Sequence, residues 1–245
     1  MKTPSRPVTI GIDFDDTLWH TTPHFERGRE ILANLFEHTD AAESAADLVD
    51  SIEERRIRLY GYGYASFVLA GIEALLATGG RAGQLADIEP LFVWARETTE
   101  APVELLDGVE ETIPLLAADY RLIGITRGSI PTQIDLFLRS GLGGYFGEVE
   151  VLGRKTVGRY ESILRRHRIE ADRFVMVGDS LAADIEPALA AGGLAVHIPY
   201  GDGWVGEPDL AAGAGPVIES SDRWTRIASF VDLPGAIEGL VSSGG

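Results

Sequence analysis

Residues 8–18 read VTIGIDFDDTL, a short β-branched and apolar run that leads directly into acidic residues. An apolar run of this length is typical of a buried strand. Three carboxyl groups, those of Asp13, Asp15 and Asp16, fall within four positions at its end. Crowded carboxylates that are partly removed from water repel one another, and they are costly unless a cation neutralises them. The stretch therefore predicts a strand whose carboxyl end carries a cation site.

Later parts of the chain repeat the strand-like pattern and alternate it with helical patterns. Three further apolar segments lie at residues 121–126, 173–178 and 194–198. Amphipathic stretches of helical length lie at residues 109–118, 130–140, 156–168 and 181–191. Strands that are apolar on both faces and alternate with helices are typical of a parallel sheet that helices cover on each side. We therefore predict a Rossmann-like, doubly wound α/β core, in which ligands bind beyond the carboxyl ends of the strands.

The stretch from about Thr22 to Glu104 interrupts this alternation, because it contains no convincing strand. Helical spacing recurs there at residues 24–37, 41–59, 65–78 and 87–99. About eighty residues of helix are enough to bury a small core of their own. We therefore predict an all-helical subdomain at residues 21–104, inserted into a discontinuous catalytic core at residues 1–20 and 105–245.

Two features are predicted in the last fifth of the chain. Residues 201–215 are rich in Gly, Pro and acidic residues, a composition typical of a long surface loop. Residues 234–241 have the pattern of a further helix.

Composition excludes several classes of protein. The chain has 38 acidic and 21 basic residues, a formal net charge of −17, so that it repels a nucleic-acid backbone, and it has no basic run. It has no cysteine, which excludes disulfides, thiolate metal sites and cysteine nucleophiles. No apolar stretch approaches the ~18 residues that a membrane span requires, and the first residues do not have the apolar stretch of a signal peptide. We expect a soluble cytoplasmic protein without nucleic-acid or membrane partners.

A second acidic pair follows another predicted strand. Asp179 and Asp184 lie in the segment GDSLAAD at residues 178–184. If its strand neighbours the first one, these acids converge with Asp13 on one ion, and oxygen-only ligands favour Mg²⁺. Alternatively, Asp179 or Ser180 caps the helix that follows, although a cap needs one acid and not the whole set.

Two further polar positions have ambiguous patterns. Thr126 ends the second predicted strand and is followed by Arg127, Gly128 and Ser129 before a helix. A hydroxyl, free backbone amides and a helix N-terminus form an anion site, although a plain turn capped by Ser129 has the same features. Lys155 precedes another helix, and a lone lysine there is usually a surface charge.

The order of these motifs resembles that of the haloacid-dehalogenase superfamily of phosphotransferases over nearly the whole chain. The motifs are Asp-x-Asp-x-Thr after the first strand, Thr after the second, an isolated Lys, and Gly-Asp-x-x-x-x-Asp after a third strand. The helical insert after the first motif is similar to that superfamily's helical cap. The resemblance implies that Asp13 is a nucleophile that forms an aspartyl-phosphate, and that Asp15 protonates the leaving oxygen and later takes a proton from water.

The resemblance also implies roles for the other polar residues. Mg²⁺ is expected to be bound by Asp13, Asp179 and the backbone carbonyl of Asp15, while Thr126 and Lys155 bind the phosphoryl oxygens. Other roles are expected to be supportive: Asp184 orders metal-bound water or Lys155, and Thr17 orients Asp15. Arg127 either contacts an anionic group of the substrate or faces solvent.

These roles imply a Mg²⁺-dependent phosphatase that acts on a small phosphorylated metabolite. Asp15 favours ester hydrolysis over dehalogenation, because the dehalogenase branch of the superfamily lacks this second acid. Two alternatives are a phosphotransferase or phosphomutase of the same superfamily, and a signalling protein that accepts phosphate without catalysis. The substrate and the oligomeric state stay open. So does the segment with Tyr60, Tyr62 and Tyr64, whose rings either stack on a substrate or pack at a helix junction.

Overall fold

The structure is a computed structural model that describes residues 8–36, 45–78, 85–201 and 222–243. The chain divides into two compact units. The first comprises Met1–His20, Glu104–Arg127 and Leu136–Gly245, and the second comprises Thr21–Val103 and Gly128–Asp135. In the described ranges, no helix combines the length and apolar character that a membrane crossing requires.

The second unit is helical and has its own core. Its helices are α1 (Thr22–Phe36), α2 (Ala45–Tyr60), α3 (Tyr64–Ala77) and α4 (Leu85–Glu100). Each of the four overlaps one of the predicted helical segments. The core is formed by large buried side chains such as those of Leu32, Phe67 and Trp94. Gly28 lets these helices approach, because a Cβ atom there would lie 2.7 Å from the Trp94 ring.

The tyrosine segment lies at the junction of α2 and α3. The ring of Tyr64 is buried and packs against Phe25 and Trp94, with ring centroids 5.2 and 5.6 Å apart. Tyr64 therefore belongs to the helical core, as the packing alternative predicts. The side chain of Tyr60 lies outside the described residues, and Tyr62 is half-buried.

The sequence assigned residues 128–135 to the catalytic core, whereas the structure groups them with the helical unit. A backbone hydrogen bond gives one reason, because the Ser129 amide donates to the carbonyl of Tyr62 at 3.1 Å. Gly61 has a φ of 71°, and a Cβ atom there would lie 3.6 Å from the backbone of Gly128.

The first unit is built on a parallel sheet. Its strands are β1 (Thr9–Ile12), β2 (Arg121–Arg127), β3 (Phe146–Leu152), β4 (Phe174–Gly178), β5 (Leu194–His197) and β6 (Trp224–Arg226). Their order is β3-β2-β1-β4-β5-β6, and all neighbouring pairs are parallel. The predicted doubly wound α/β class is confirmed, with β1 in the middle of the sheet.

The remaining helices follow the strands. They are α5 (Val109–Asp119), α6 (Ile130–Arg139), α7 (Val157–His167), α8 (Glu186–Ala190) and α9 (Leu233–Ser243). The helix predicted at residues 234–241 is confirmed by α9. The helix predicted at residues 181–191 is divided into a π-helical turn, Leu181–Ile185, and α8. Apart from Gly201, the loop predicted at residues 201–215 lies outside the described residues.

The sequence did not predict β3 and β6, and both are the edge strands of the sheet. Edge strands are partly exposed and therefore do not read as continuous apolar runs. In β3, Glu148 and Glu150 alternate with Val149 and Val151, and only the first and last residues of the strand are buried.

Candidate active site

The order of the sheet brings the predicted polar residues to one edge. β1 pairs with β2 on one side and with β4 on the other, so that Ile12 aligns with both Gly124 and Val177. Asp13 continues this alignment, because its amide donates to the carbonyl of Val177 at 2.9 Å. Parallel strands end at the same edge of a sheet. The condition on which convergence of Asp13 and Asp179 depended, neighbouring strands, is therefore met.

Three carboxyl groups meet at this edge. One carboxylate oxygen from each of Asp13, Asp179 and Asp184 lies within 4.8 Å of the other two. Asp13 is 6% exposed and Asp184 is completely buried. This group could hold a metal ion, because its members are oxygen donors: Asp13 and Asp179 directly follow strands, and Asp184 lies in the turn after β4.

Lys155 is buried beside the carboxylates instead of lying on the surface. Its ammonium group donates hydrogen bonds to Asp13 and, at 2.6 Å, to Asp184. The three carboxylates and this one ammonium carry a formal charge of −2. A buried excess charge is costly, and a divalent cation would neutralise it.

The pKa values reflect burial first and then the charges within this group. Burial raises the pKa of Asp179 well above its ordinary value, and the charges of Asp13 and Asp184 raise it further. Burial raises the pKa of Asp184 to about 7, against the opposing charge of Lys155. For Lys155, burial lowers the pKa, but the charges of Asp13 and Asp184 outweigh this and raise it overall. Lys155 is therefore charged, and a bound cation would favour the ionised forms of Asp179 and Asp184.

Gly178 makes room for Asp184. The π-helical turn folds the Asp184 side chain back over the end of β4, where the Ser180 amide donates to its Oδ2 at 3.2 Å. A Cβ atom on Gly178 would lie only 2.3 Å from that oxygen. Ser180 also caps the turn, since its hydroxyl accepts from the Ala183 amide at 3.0 Å. The capping interpretation of this segment is therefore correct for Ser180, in a turn that also places Asp184.

Tyr160 interacts with the Asp184 carboxylate. It is completely buried, and its hydroxyl donates to the carbonyl of Ala183 at 3.3 Å. Burial, followed by the charge of Asp184, raises its pKa well above the ordinary value. The neutral phenol therefore adds no charge to the group.

Asp15 accepts a hydrogen bond from Trp19, a residue that the sequence pattern did not indicate. The indole Nε1 donates to Asp15 Oδ1 at 3.1 Å. Thr17, the predicted partner of Asp15, is buried, and its Oγ1 makes no hydrogen bond to any residue that the structure describes. A role of Thr17 in orienting Asp15 stays a prediction, and no side-chain hydrogen bond among the described residues supports it. The signal for Trp19 was an indole four residues after the acid.

His197 was also missed, although it supports a predicted residue. Its Nε2 donates to the backbone carbonyl of Asp179 at 2.8 Å, which requires the proton on that nitrogen. Burial lowers the pKa of His197, so that the neutral ring is favoured. The available signal was a histidine at the end of β5, the strand that pairs with β4 and its GDSLAAD segment.

The two residues at the end of β2 lie where the sequence predicts. Thr126 is completely buried, and Arg127, which ends the strand, is half-buried. The carboxylate of Asp15 does not belong to the group formed by Asp13, Asp179 and Asp184. The roles in phosphate and metal binding stay predictions for these residues.

The chain matches the family described as haloacid dehalogenase-like hydrolase over residues 8–192. Among curated proteins it is similar to the N-acylneuraminate-9-phosphatase of Mus musculus, with 24% identity over 249 positions that cover 96% of each protein. Among solved structures it is similar to a haloacid dehalogenase-like family hydrolase from Xanthomonas campestris, with a TM-score of 0.83, 28% identity, and coverage of 100% of this chain and 97% of that chain. It shares the fold of the HAD-hydrolase YfnB from Bacillus subtilis bound to magnesium, with a TM-score of 0.62, 21% identity, and coverage of 96% and 100%.

Proposed function

We propose that this chain, which belongs to the haloacid dehalogenase-like hydrolase family, is a Mg²⁺-dependent phosphatase that hydrolyses a small phosphorylated metabolite through an aspartyl-phosphate. The observation that carries the proposal is the buried group of Asp13, Asp179, Asp184 and Lys155 at the carboxyl edge of the sheet. It combines a carboxylate nucleophile, a possible cation site and a fixed positive charge. The mouse relative, described as an N-acylneuraminate-9-phosphatase, supports the same chemistry.

In the first step, a carboxylate oxygen of Asp13 attacks phosphorus while the ester P–O bond breaks. The leaving oxygen takes the proton carried by Asp15, and the organic part of the substrate departs as an alcohol. In the second step, water attacks the phosphorus of the aspartyl-phosphate and gives a proton to Asp15. The bond between Asp13 and phosphorus breaks, which releases inorganic phosphate and restores both carboxyl groups.

The residues at the site fit a hard divalent ion, because the clustered donors are carboxylates and their formal charge with Lys155 is −2. Asp13, Asp179 and the backbone carbonyl of Asp15 would hold Mg²⁺. When bound, Mg²⁺ would offset the charge between the nucleophile and the phosphoryl group. YfnB, which has the same fold, is described as bound to magnesium.

Lys155 and Thr126 are proposed to bind the phosphoryl oxygens, where negative charge accumulates in the transition state. Asp184 fixes Lys155 through the 2.6 Å hydrogen bond. Arg127, at the end of β2, is proposed to contact an anionic group of the substrate. Thr17 is proposed to shape the acidic turn.

Phosphate-ester hydrolysis is favoured over dehalogenation by Asp15. A halide leaves without a proton, whereas an alkoxide needs one. An acid two residues after the nucleophile is therefore useful for ester hydrolysis but not for dehalogenation. The helical residues 21–104 are proposed to select the substrate, and the chain is proposed to act in the cytoplasm.

The test is the hydrolysis of 4-nitrophenyl phosphate by the purified protein with Mg²⁺. We expect turnover that a chelator abolishes and Mg²⁺ restores, and that is absent in Asp13→Asn. The matched control is Asp172→Asn, which makes the same change at an exposed aspartate.

Full activity of Asp13→Asn would refute the nucleophile. A stable aspartyl-phosphate without turnover would indicate the signalling alternative. Transfer of the phosphoryl group to a sugar in preference to water would indicate the phosphotransferase alternative.

A further inference from the structure

We infer that Trp19 is a positioning residue that holds the carboxyl group of Asp15 by one oxygen and thereby presents the other oxygen to the leaving group. This inference rests on the proposed function, because it assumes that Asp15 is the acid. Its direct basis is the 3.1 Å hydrogen bond from Trp19 Nε1 to Asp15 Oδ1.

The indole is firmly held, so that it can act as a fixed support. Trp19 is only 1% exposed, and its ring lies 4.9 Å from that of Phe14, which stacks on Phe137 at 5.1 Å. A buried aromatic side chain in such contacts keeps one orientation.

The backbone closes the same loop. The Asp16 amide donates to the carbonyl of Trp19 at 2.8 Å, and Asp16 has a φ of 58°, in the left-handed region. Residues 15 and 19 also form a β-bridge, and Trp19 forms a second bridge with Leu105. Both ends of the Trp19–Asp15 contact are therefore fixed, and the orientation of the carboxyl group follows from the fold.

An indole N–H can only donate a hydrogen bond. Oδ1 is therefore the acceptor in this contact, and the oxygen proposed to face the leaving group is Oδ2. With Oδ1 held by the indole and the backbone of residue 15 held by its bridge to residue 19, the rotation that would redirect Oδ2 is restricted. Proton transfer depends on such alignment, since a general acid must lie within hydrogen-bond reach of the atom that it protonates.

The test compares two substrates of nearly equal shape, 4-nitrophenyl phosphate and phenyl phosphate. Nitrophenolate leaves readily without a proton, whereas phenolate is a much stronger base and benefits from protonation. The parameter kcat/KM reports formation of the aspartyl-phosphate, the step in which the leaving group departs. In Trp19→Phe we expect kcat/KM to fall about tenfold or more for phenyl phosphate and less than about threefold for 4-nitrophenyl phosphate.

The control is Trp94→Phe. Trp94 is also buried, and its Nε1 also donates a hydrogen bond, to the carbonyl of His24 at 3.0 Å. This variant therefore removes the same kind of bond in the helical unit. It should leave unchanged the substrate ratio, which is kcat/KM for 4-nitrophenyl phosphate divided by kcat/KM for phenyl phosphate. If Trp19→Phe does not fold, the benzothienyl analogue of tryptophan at position 19 keeps the shape and replaces N–H by sulfur.

An equal loss for both substrates in the position-19 variants would overturn the inference, because a structural defect does not distinguish leaving groups. Asp15→Asn separates this failure from failure of the proposed function. Asp15→Asn should raise the ratio of kcat/KM for 4-nitrophenyl phosphate to kcat/KM for phenyl phosphate at least as much as Trp19→Phe does. An unchanged ratio in Asp15→Asn would refute Asp15 as the acid, and both proposals would then fall together.

Discussion

Replacement of Gly178 by alanine is expected to damage the site through one added methyl group. The new Cβ atom would lie 2.3 Å from Oδ2, 2.4 Å from Cγ and 2.6 Å from Cβ of Asp184. Ordinary contact begins at 3.4 Å, so that the Asp184 side chain must move by about 1 Å. The hydrogen bond from Lys155 to Asp184, now 2.6 Å, would lengthen beyond the range of a hydrogen bond.

Loss of this charge-assisted hydrogen bond leaves Lys155 attached to Asp13 alone. Such a bond is worth about 1.5–3 kcal/mol, which corresponds to about a 10- to 160-fold decrease in kcat/KM. A misplacement of about 1 Å is known to have an effect of similar size, ~10²-fold. Crowding of the buried strand end should also decrease the free energy of unfolding by about 1–3 kcal/mol.

The assay is kcat/KM for 4-nitrophenyl phosphate, together with urea unfolding. Gly11→Ala is the matched control, because its Cβ atom would lie 2.7 Å from the Phe174 ring and 2.9 Å from Ile125, both apolar. We expect Gly11→Ala to lose stability to a similar extent but to keep kcat/KM within a few-fold. A Gly178→Ala protein with unchanged kcat/KM, or the same catalytic loss in both variants, would refute the role of Gly178 in placing Asp184.

Three further changes test other parts of the site. Gly124→Ala would bring a Cβ atom within 2.3 Å of the Phe14 ring and should lower the melting temperature and the activity, whereas Gly147→Ala, with its nearest atom at 3.8 Å, should do neither. Lys155→Met leaves the carboxylates of Asp13 and Asp184 without their ammonium partner, so that urea unfolding should reveal a loss of about 3–5 kcal/mol and turnover should be undetectable. Because the pKa of Asp184 rises from 3.8 to about 7 on folding, the metal-free protein retains a proton that the unfolded chain releases, and its stability should fall as the pH rises through this window. Thermal melts should therefore show that Mg²⁺ stabilises the protein more at pH 8 than at pH 5, and Asp184→Asn should weaken this difference; equal stabilisation at both pH values would contradict it.

The part of the fold that the sequence predicts best is the middle of the sheet. β1, β2 and β4 are covered on both faces, and each therefore reads as a continuous apolar run. The edge strand β3 does not, because Glu148 and Glu150 interrupt its apolar residues. Glu148 binds Arg121 at 2.7 Å, and Glu150 binds Arg166 at 2.7 Å. These carboxylates need a partner from another part of the chain, which a local pattern does not contain.

The same distinction applies to the site. Acids that follow central strands must converge once the strands are neighbours, so that Asp13 and Asp179 were predictable from their positions alone. Lys155 was not predictable from its own surroundings, since nothing in LGRKT indicates that its ammonium group is buried against residues 142 and 29 positions away. Only the resemblance to a family indicated its place.

The hydrogen bond between Trp19 and Asp15 shows what a local pattern does not reveal even at short range. Thr17 is nearer in sequence than Trp19 and has the more usual partner for a carboxylate, a hydroxyl group. The left-handed conformation of Asp16 reverses the chain, however, and brings residue 19 back beside residue 15. The indole then reaches the carboxylate, while Thr17 Oγ1 is buried without a partner among the described residues. Because the turn at Asp16 precedes the bridge and the hydrogen bond that join Asp15 to Trp19, a substitution that changes this turn should weaken the contact without replacing either residue. If Asp15 is the acid, as proposed, such a substitution should also affect protonation of the leaving group.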